Sequence, residues 1–251
     1  NGIFNLNYGT FNIGVNAAAT TDPAFGTNTI VAGTTVNYNS SGSQTIAAVD
    51  YGNLSNTGNG SRILASSGII GVKNVFTPST NVSSTITGST VSFIGTTVQT
   101  IPAFNYNNLT VTNLNSNITL ASIGVIGIAG TFNPGAATFG TIAGSTVNFN
   151  GTLAQTIPLF TFNNLQINNA ANISSIGGDV TVNSNLALTN GIVTTGSNKI
   201  IVNGTNVTRT SGWVNGNLQQ SISTLSAVTF PTGVITYYSP LTVNFSSFHS
   251  M

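Results

Sequence analysis

Three stretches of this chain are near copies set at almost equal spacing. They read "GTTVNYNSSGSQTIAAVDYGNL" from Gly33, "GSTVSFIGTTVQTIPAFNYNNL" from Gly88 and "GSTVNFNGTLAQTIPLFTFNNL" from Gly144, with starts 55 and 56 residues apart. The matched columns are Val36, Val91 and Val147; Gln44, Gln99 and Gln155; Asn53, Asn108 and Asn164; and Leu54, Leu109 and Leu165. Further columns hold Tyr38, Phe93 and Phe149, then Ile46, Ile101 and Ile157, then Tyr51, Tyr106 and Phe162. The linking stretches "VFTPST" (75–80) and "TFNPGA" (131–136) align at Phe76 with Phe132 and at Pro78 with Pro134. "GTFNIG" (9–14) reads as an earlier partial copy, followed by an insertion around Ala17–Phe25. A period of this length marks an array in which no single unit closes its own core.

Within a copy the apolar residues alternate with polar ones. "STVNFNG" places Val147 and Phe149 on one side; "NNLQINN" does the same with Leu165 and Ile167; "DVTVNSNLALTNG" does so with Val180, Val182, Leu186 and Leu188. Such period-2 runs, ended by Gly or Asn, predict strands with one buried face. No helical stripe persists for three turns. A sandwich of one copy is too small to stand alone, and three propeller blades fall below the usual range. The repeat therefore predicts an all-β parallel β-solenoid (β-helix) built from repeats of about 55 residues, with a β-rich C-terminal cap or module. Anchors at Val147, Leu165, Leu186 and Ile200–Val202 suggest about three coils per copy. Roughly twelve coils, about 4.8 Å apart, would make a rod of order 60 Å. Equivalent residues are then expected to stack over one another, with Gly and Asn at corners.

This reading divides the chain into a lead-in coil over 1–32, repeats over 33–87, 88–143 and 144–204, and a divergent segment over 205–251 that holds the sole Trp, Trp213. Composition supports the stacking. Only 3% of residues are charged, against about 25% in ordinary soluble domains. Stacked charges repel at strand spacing, whereas stacked Asn, Thr and aromatic residues attract. Disorder needs low hydrophobicity and high charge; here 40% of residues are hydrophobic. Asn, Ser, Thr and Gly also disfavour helix.

The same scarcity limits function. There is no Glu, the acids are Asp22, Asp50 and Asp179, and His249 is the only His. Glycoside hydrolysis needs paired carboxylates, yet Asp50 is matched by Asn105 and Thr161 in the other copies. A serine nucleophile would lack an activating constellation. "GGDVTV" (177–182) lacks the repeated glycines of a calcium-binding nonapeptide. No catalytic, metal or cofactor site is expected, so the chain reads as a non-enzyme. A net charge of +1 gives no electrostatic footprint for nucleic acid, and no apolar run is long enough for a transmembrane helix. Cysteine is absent. The N-x-S/T triplets at Asn108, Asn117 and Asn172 are what a chain rich in these residues produces by accident. Thr35, Thr90 and Thr146 align, as do Thr45, Thr100 and Thr156, but once per copy rather than as paired rows for ice. With no basic leader before "NGIFNLNYGTF", the chain reads as a mature or proteolysed fragment.

The pattern T-V-x-[FY]-x-G-x-x-x-Q-T-I…[YF]-x-N-L over about 33–190 resembles repeats of giant surface proteins of Bacteroidetes-type bacteria, exported by the type IX secretion route. The later "WVNGNLQQSI…FPTG…YYSPLTVNF" is similar to the segment that often follows such repeats. The resemblance implies a secreted, extracellular, cell-surface adhesin, including adhesins of gliding motility, with the secretion machinery as a partner. It supplies no catalytic residues. The expected role is a structural and adhesive segment, a stiff stalk or polar face toward glycan or an abiotic surface. The alternatives are an end-to-end self-assembling fibre or surface-layer element, and a polysaccharide-active or ice-binding β-helix. Gln99 and Asn108 are expected to be internal or turn hydrogen-bonders rather than binding groups.

Overall fold

A computed structural model of the chain describes residues 3–14, 27–79, 83–113, 117–171, 173–223 and 225–247. Asp22, the insertion around 17–25, Asn172 and His249 lie outside the described residues. The described residues form strands and no α-helix. In chain order these are β1 (Ile3–Leu6), β2 (Thr10–Ile13), β3 (Thr27–Ile30), β4 (Thr35–Tyr38), β5 (Gln44–Ile46), β6 (Asp50–Tyr51), β7 (Asn53–Asn56) and β8 (Arg62–Leu64). There follow β9 (Ile70–Val72), β10 (Phe76–Thr77), β11 (Ser84–Thr85), β12 (Thr90–Phe93), β13 (Gln99–Ile101), β14 (Asn105–Tyr106), β15 (Asn108–Val111) and β16 (Ile118–Leu120). Next come β17 (Val125–Ile128), β18 (Phe132–Asn133), β19 (Phe139–Thr141), β20 (Thr146–Phe149), β21 (Gln155–Ile157), β22 (Thr161–Asn168), β23 (Ile173–Ile176) and β24 (Val180–Asn190). The last are β25 (Ile192–Val202), β26 (Asn206–Arg209), β27 (Trp213–Gln220), β28 (Val228–Phe230), β29 (Thr232–Val234), β30 (Tyr237–Tyr238) and β31 (Leu241–Val243). The parallel stacked strands form a β-solenoid of about ten turns, fewer than the twelve expected. The chain divides into two compact units, Asn1–Ala121 with Phe132–Ile142, and Ser122–Thr131 with Ala143–Met251.

In the first unit the chain visits three sheets in rotation. β4, β7 and β10 are neighbours in one sheet, β5, β8 and β11 in a second, and β6, β9 and β12 in a third. From β7 to β12 each strand therefore stacks in parallel on the one three places earlier, and three strands make one coil; β3 and β4 instead stack on β1 and β2. The step along the chain is 18 residues from Val36 to Leu54, 22 from Leu54 to Phe76 and 21 from Ile70 to Val91.

A copy of the repeat, however, holds eight strands: β4 to β11, then β12 to β19. Eight is not a multiple of three, so a copy is two and two-thirds coils rather than three. Equivalent residues consequently do not stack. Val36 lies between Phe11 and Leu54 in the first sheet, and Val91 lies between Ile70 and Leu109 in the third. This corrects the expectation that like columns sit over one another. The physical reason is that a parallel ladder needs only an inward apolar residue over another inward apolar residue. Every strand of the repeat supplies that alternation, so the fold stacks by pattern and not by column.

In the second unit the strands are longer, with 8 residues in β22 and β27 and 11 in β24 and β25. One inward column is Ile126, Val147, Leu165, Leu186 and Val207. Beside it run Ile128, Phe149, Ile167, Leu188 and Arg209. Another face carries Phe162, Val182, Val202 and Gln220. Ile200–Val202 thus follow Val180–Val182, and the coil above Leu186 is Val207; the expected sequence of anchors mixed two faces. Three columns end on polar residues, Arg209, Gln220 and, after Ile173, Val193 and Val214, on Thr232.

Burial follows the alternation. Val147, Phe149, Leu165 and Ile167 are 1% exposed or less, each contributing about 1.5–3 kcal/mol of transfer free energy. The leading Gly33, Gly88 and Gly144 have φ of 91°, 77° and 77°, a left-handed conformation that costs other L-residues about 1 kcal/mol or more. Beyond β27 only β29 continues the parallel stacking, at Thr232 and Gly233. β29 and β30 form an antiparallel hairpin, and β28 pairs antiparallel with β31. No helix among the described residues is long and apolar enough to cross a membrane.

Candidate functional site

The repeated glutamines are braces between a corner and the coil before it. Gln99 Oε1 accepts from the Gly95 amide at 2.8 Å, while its Nε2 donates to the Val72 and Asn74 carbonyls, both at 3.0 Å. Gln155 repeats this with the Gly151 amide at 2.9 Å and the Ile128 and Gly130 carbonyls at 2.8 and 2.7 Å. Gln44 accepts from the Ser40 amide at 3.0 Å and donates to the Ile13 carbonyl at 2.9 Å. Each Gln is buried. Only a side chain with both a donor and an acceptor end can satisfy a turn amide and a neighbouring carbonyl together. Gly95 and Gly151 complete the arrangement, because a Cβ on either would overlap a carbonyl of the previous coil, Lys73 or Ala129.

A second carboxamide stabilises the brace in two copies. Asn113 donates to the Thr97 carbonyl at 3.0 Å and to Gln99 Oε1 at 3.2 Å. Asn169 donates to the Leu153 carbonyl at 2.8 Å and to Gln155 Oε1 at 2.7 Å. The first copy has Gly58 at that position, and the space is taken by Arg62. This guanidinium is fully buried and donates to the carbonyls of Tyr38 (2.8 Å), Ser40 (3.2 Å) and Gly60 (2.6 Å), with further bonds to Ser61 (3.2 Å) and Gly42 (3.4 Å). All its partners are backbone oxygens. Burial pushes its pKa down from the usual guanidinium range. These three residues were missed in the sequence. The available signal was that Asn113 and Asn169 share a column which in the first copy holds Gly.

The other repeat columns fall into two groups. Val36, Val91, Val147, Leu54, Leu109 and Leu165 point inward and are at most 2% exposed. Asn53, Asn108 and Asn164 are half-buried, the first two at the starts of β7 and β15 and the third inside β22, and donate to the Thr of the coil beneath. Their distances to Thr35, Thr90 and Thr146 Oγ1 are 3.2, 3.4 and 3.4 Å. The aromatic columns are also internal. Tyr38 and Tyr51 join hydroxyls at 2.8 Å, and Tyr51 donates to the Ala47 carbonyl. In the next copy Tyr106 donates to the Pro102 carbonyl at 3.2 Å, and burial holds its pKa well above the ordinary range. In the third copy Phe149 and Phe162 meet edge to face.

The outer surface carries neutral ladders. Asn37 bonds to Asn12 and Thr57, Thr100 to Thr119, and Asn203 to Asn183. Thr45 and Thr100 are exposed, yet Thr45 is followed in its sheet by Ile63, so the threonine row is interrupted there. Asp179 accepts from the Lys199 amide at 3.0 Å, which ties two coils together. Among the described residues no group of three or more His, Cys, Asp or Glu comes together to hold a metal.

The divergent segment is fastened by three side chains. Trp213 Nε1 donates to the Val234 carbonyl at 3.0 Å, and Arg209 stacks on the Tyr238 ring at 3.7 Å. A cation over an aromatic face is attractive by about 0.5–2 kcal/mol. A groove of about 310 Å³ is lined by Lys199, Gly216–Gln219, Phe230, Thr232 and Leu241. Compared with protein-family models, curated proteins and solved structures, the chain finds no match.

Proposed function

We propose that this chain is a structural and adhesive segment of a secreted bacterial cell-surface repeat protein. The observation that carries the reading is the surface of neutral hydrogen-bonded ladders, in which outward Asn and Thr side chains are joined coil to coil. Such a surface offers many weak, geometrically fixed contacts to glycan or to an abiotic surface, and avidity multiplies them. Stiffness comes from the continuous inward columns and the glutamine braces. The extracellular location and the type IX route follow from the sequence resemblance alone. Polar residues at the ends of three inward columns weigh against end-to-end stacking as a fibre. The reading assigns the chain no catalytic step.

The test is retention on a glycan panel and on mineral and polymer surfaces, for the single chain and for a tandem of two. Adhesion predicts that the tandem is retained far longer than the single chain. Retention no better than an unrelated uncharged β-protein on every surface would remove the adhesive part of the proposal.

A further inference from the structure

β27 carries an edge that the rest of its face does not have. Its residues Asn217–Gln220 pair on one side with Lys199–Val202 of β25. On the other side only Val214 and Asn215 are paired, to β29. Among the described residues no strand takes the outer edge of Asn217–Gln220. In the coils below, that edge is occupied: Val180–Val182 carry Ile200–Val202, which carry Leu218–Gln220.

The groove of about 310 Å³ lies along this free edge. Its far wall is Phe230 and Leu241, which face each other across the β28–β31 pair, and Leu241 is 58% exposed. Leu218 is only half-buried, although Val180 and Ile200 beneath it are completely buried. Gln220 Oε1 is buried with no hydrogen-bond partner. An unpaired strand edge and an apolar wall facing it line the same groove; Gln220 itself lies just outside the lining.

We propose that the groove is a strand-addition site. An extended segment of another polypeptide lies parallel to Asn217–Gln220, takes up the free backbone groups and sets an apolar side chain between Leu218 and the Phe230–Leu241 wall. The occupant is a short peptide with apolar and uncharged polar residues in alternation, because the slot continues a ladder made of such strands. Affinity comes from main-chain hydrogen bonds and selectivity from the alternate side chains. This site is independent of the adhesive reading, since it needs no surface ladder.

The probe is a fluorescent peptide carrying Asn-Leu-Gln-Ile-Asn, the alternation of residues 164–168, titrated against the full chain by anisotropy. The expected result is saturable binding with slowed amide hydrogen exchange at 217–220. N-methylation of the peptide amides along one edge should abolish binding, and along the other edge should leave it. Leu241→Arg, on an exposed side chain outside the coils, should weaken binding at least tenfold with an unchanged circular dichroism spectrum. No saturable binding, equal loss from both methylation patterns, or no protection at 217–220 would each overturn the proposal. So would dimerisation of the chain without peptide that protects the same amides, since a second copy would then be the occupant.

Discussion

Arg62 occupies the space that its own chain reserves for a carboxamide one copy later. Its Nη2 lies 2.5 Å from where a Cβ on Gly58 would stand, and Gly58 is the column of Asn113 and Asn169. The residue paired with the brace glutamine changes in concert, from Arg62 beside Gln44 to Ile118 beside Gln99. Two ways of bracing one tight corner, a guanidinium on its carbonyls and a carboxamide on its glutamine, therefore coexist.

Arg62→Ile alone should destabilise the first unit by about 3 kcal/mol, because it removes the donor to the Gly60 carbonyl and the charged second donor to the Tyr38 and Ser40 carbonyls, which keep only the Gly58 and Gly60 amides. Gly58→Asn alone should also destabilise, by collision of its Cβ with the Ser40 carbonyl and the Asn39 backbone as well as with the guanidinium, and only the last of these is relieved when Arg62 is also replaced. The double change should recover about 1–3 kcal/mol relative to the sum of the two. Urea unfolding of the four proteins measures this coupling.

Gln155→Leu removes the partner of the Gly151 amide, of two carbonyls and of Asn169. The expected loss is about 2–4 kcal/mol. Gln155→Glu should be worse at neutral pH, since a carboxylate would face the Ile128 and Gly130 carbonyls and its pKa would rise above the unfolded value of about 4.3. With the folded pKa raised, its stability is greatest below the unfolded pKa and falls as pH rises. Thermal melts at acidic and neutral pH should therefore differ for Gln155→Glu and not for Gln155→Leu.

Tyr106→Phe should cost less than about 1.5 kcal/mol, because the third copy already uses Phe162 there and only the bond to Pro102 is lost. The buried hydroxyl is neutral in the folded chain at pH values where an unfolded tyrosine ionises, near 10. Its contribution is thus present below that pH and lost as pH rises. Unfolding curves on the alkaline side should fall less steeply for Tyr106→Phe than for the parent chain.

Tyr238→Ala removes the ring beneath Arg209 and beside Trp213. The emission of the sole tryptophan should shift to longer wavelength, and limited proteolysis should cut within 228–243 first. The coils should stay folded, with far-ultraviolet circular dichroism nearly unchanged.

The solenoid was legible because alternation and period are properties of the sequence. Val91, Phe93, Ile101 and Leu109 face inward as their spacing implies. The coil phase was not legible. Val36 and Val91 share a column in the alignment, and nothing local says that one pairs with Leu54 and the other with Ile70. Stacking is decided by the number of strands that close a turn, which depends on corner geometry spread over the whole coil. Arg62 was hidden for a similar reason. A lone cation in an uncharged chain suggests an outer corner, and only the space left by Gly58 lets it turn inward. The groove beside β27 could not be read either, because its walls are set by where β28–β31 fold, which nothing in the alternation of residues 217–220 records.

The eight-strand copy on a three-strand coil works like a vernier scale. Losing or gaining one copy alters length and also hands the next strand to a neighbouring sheet, so the residues after the change look out in a different direction. Adding or removing three strands alters length alone. Recombination between copies would therefore re-aim the surface of such a protein each time it resized it.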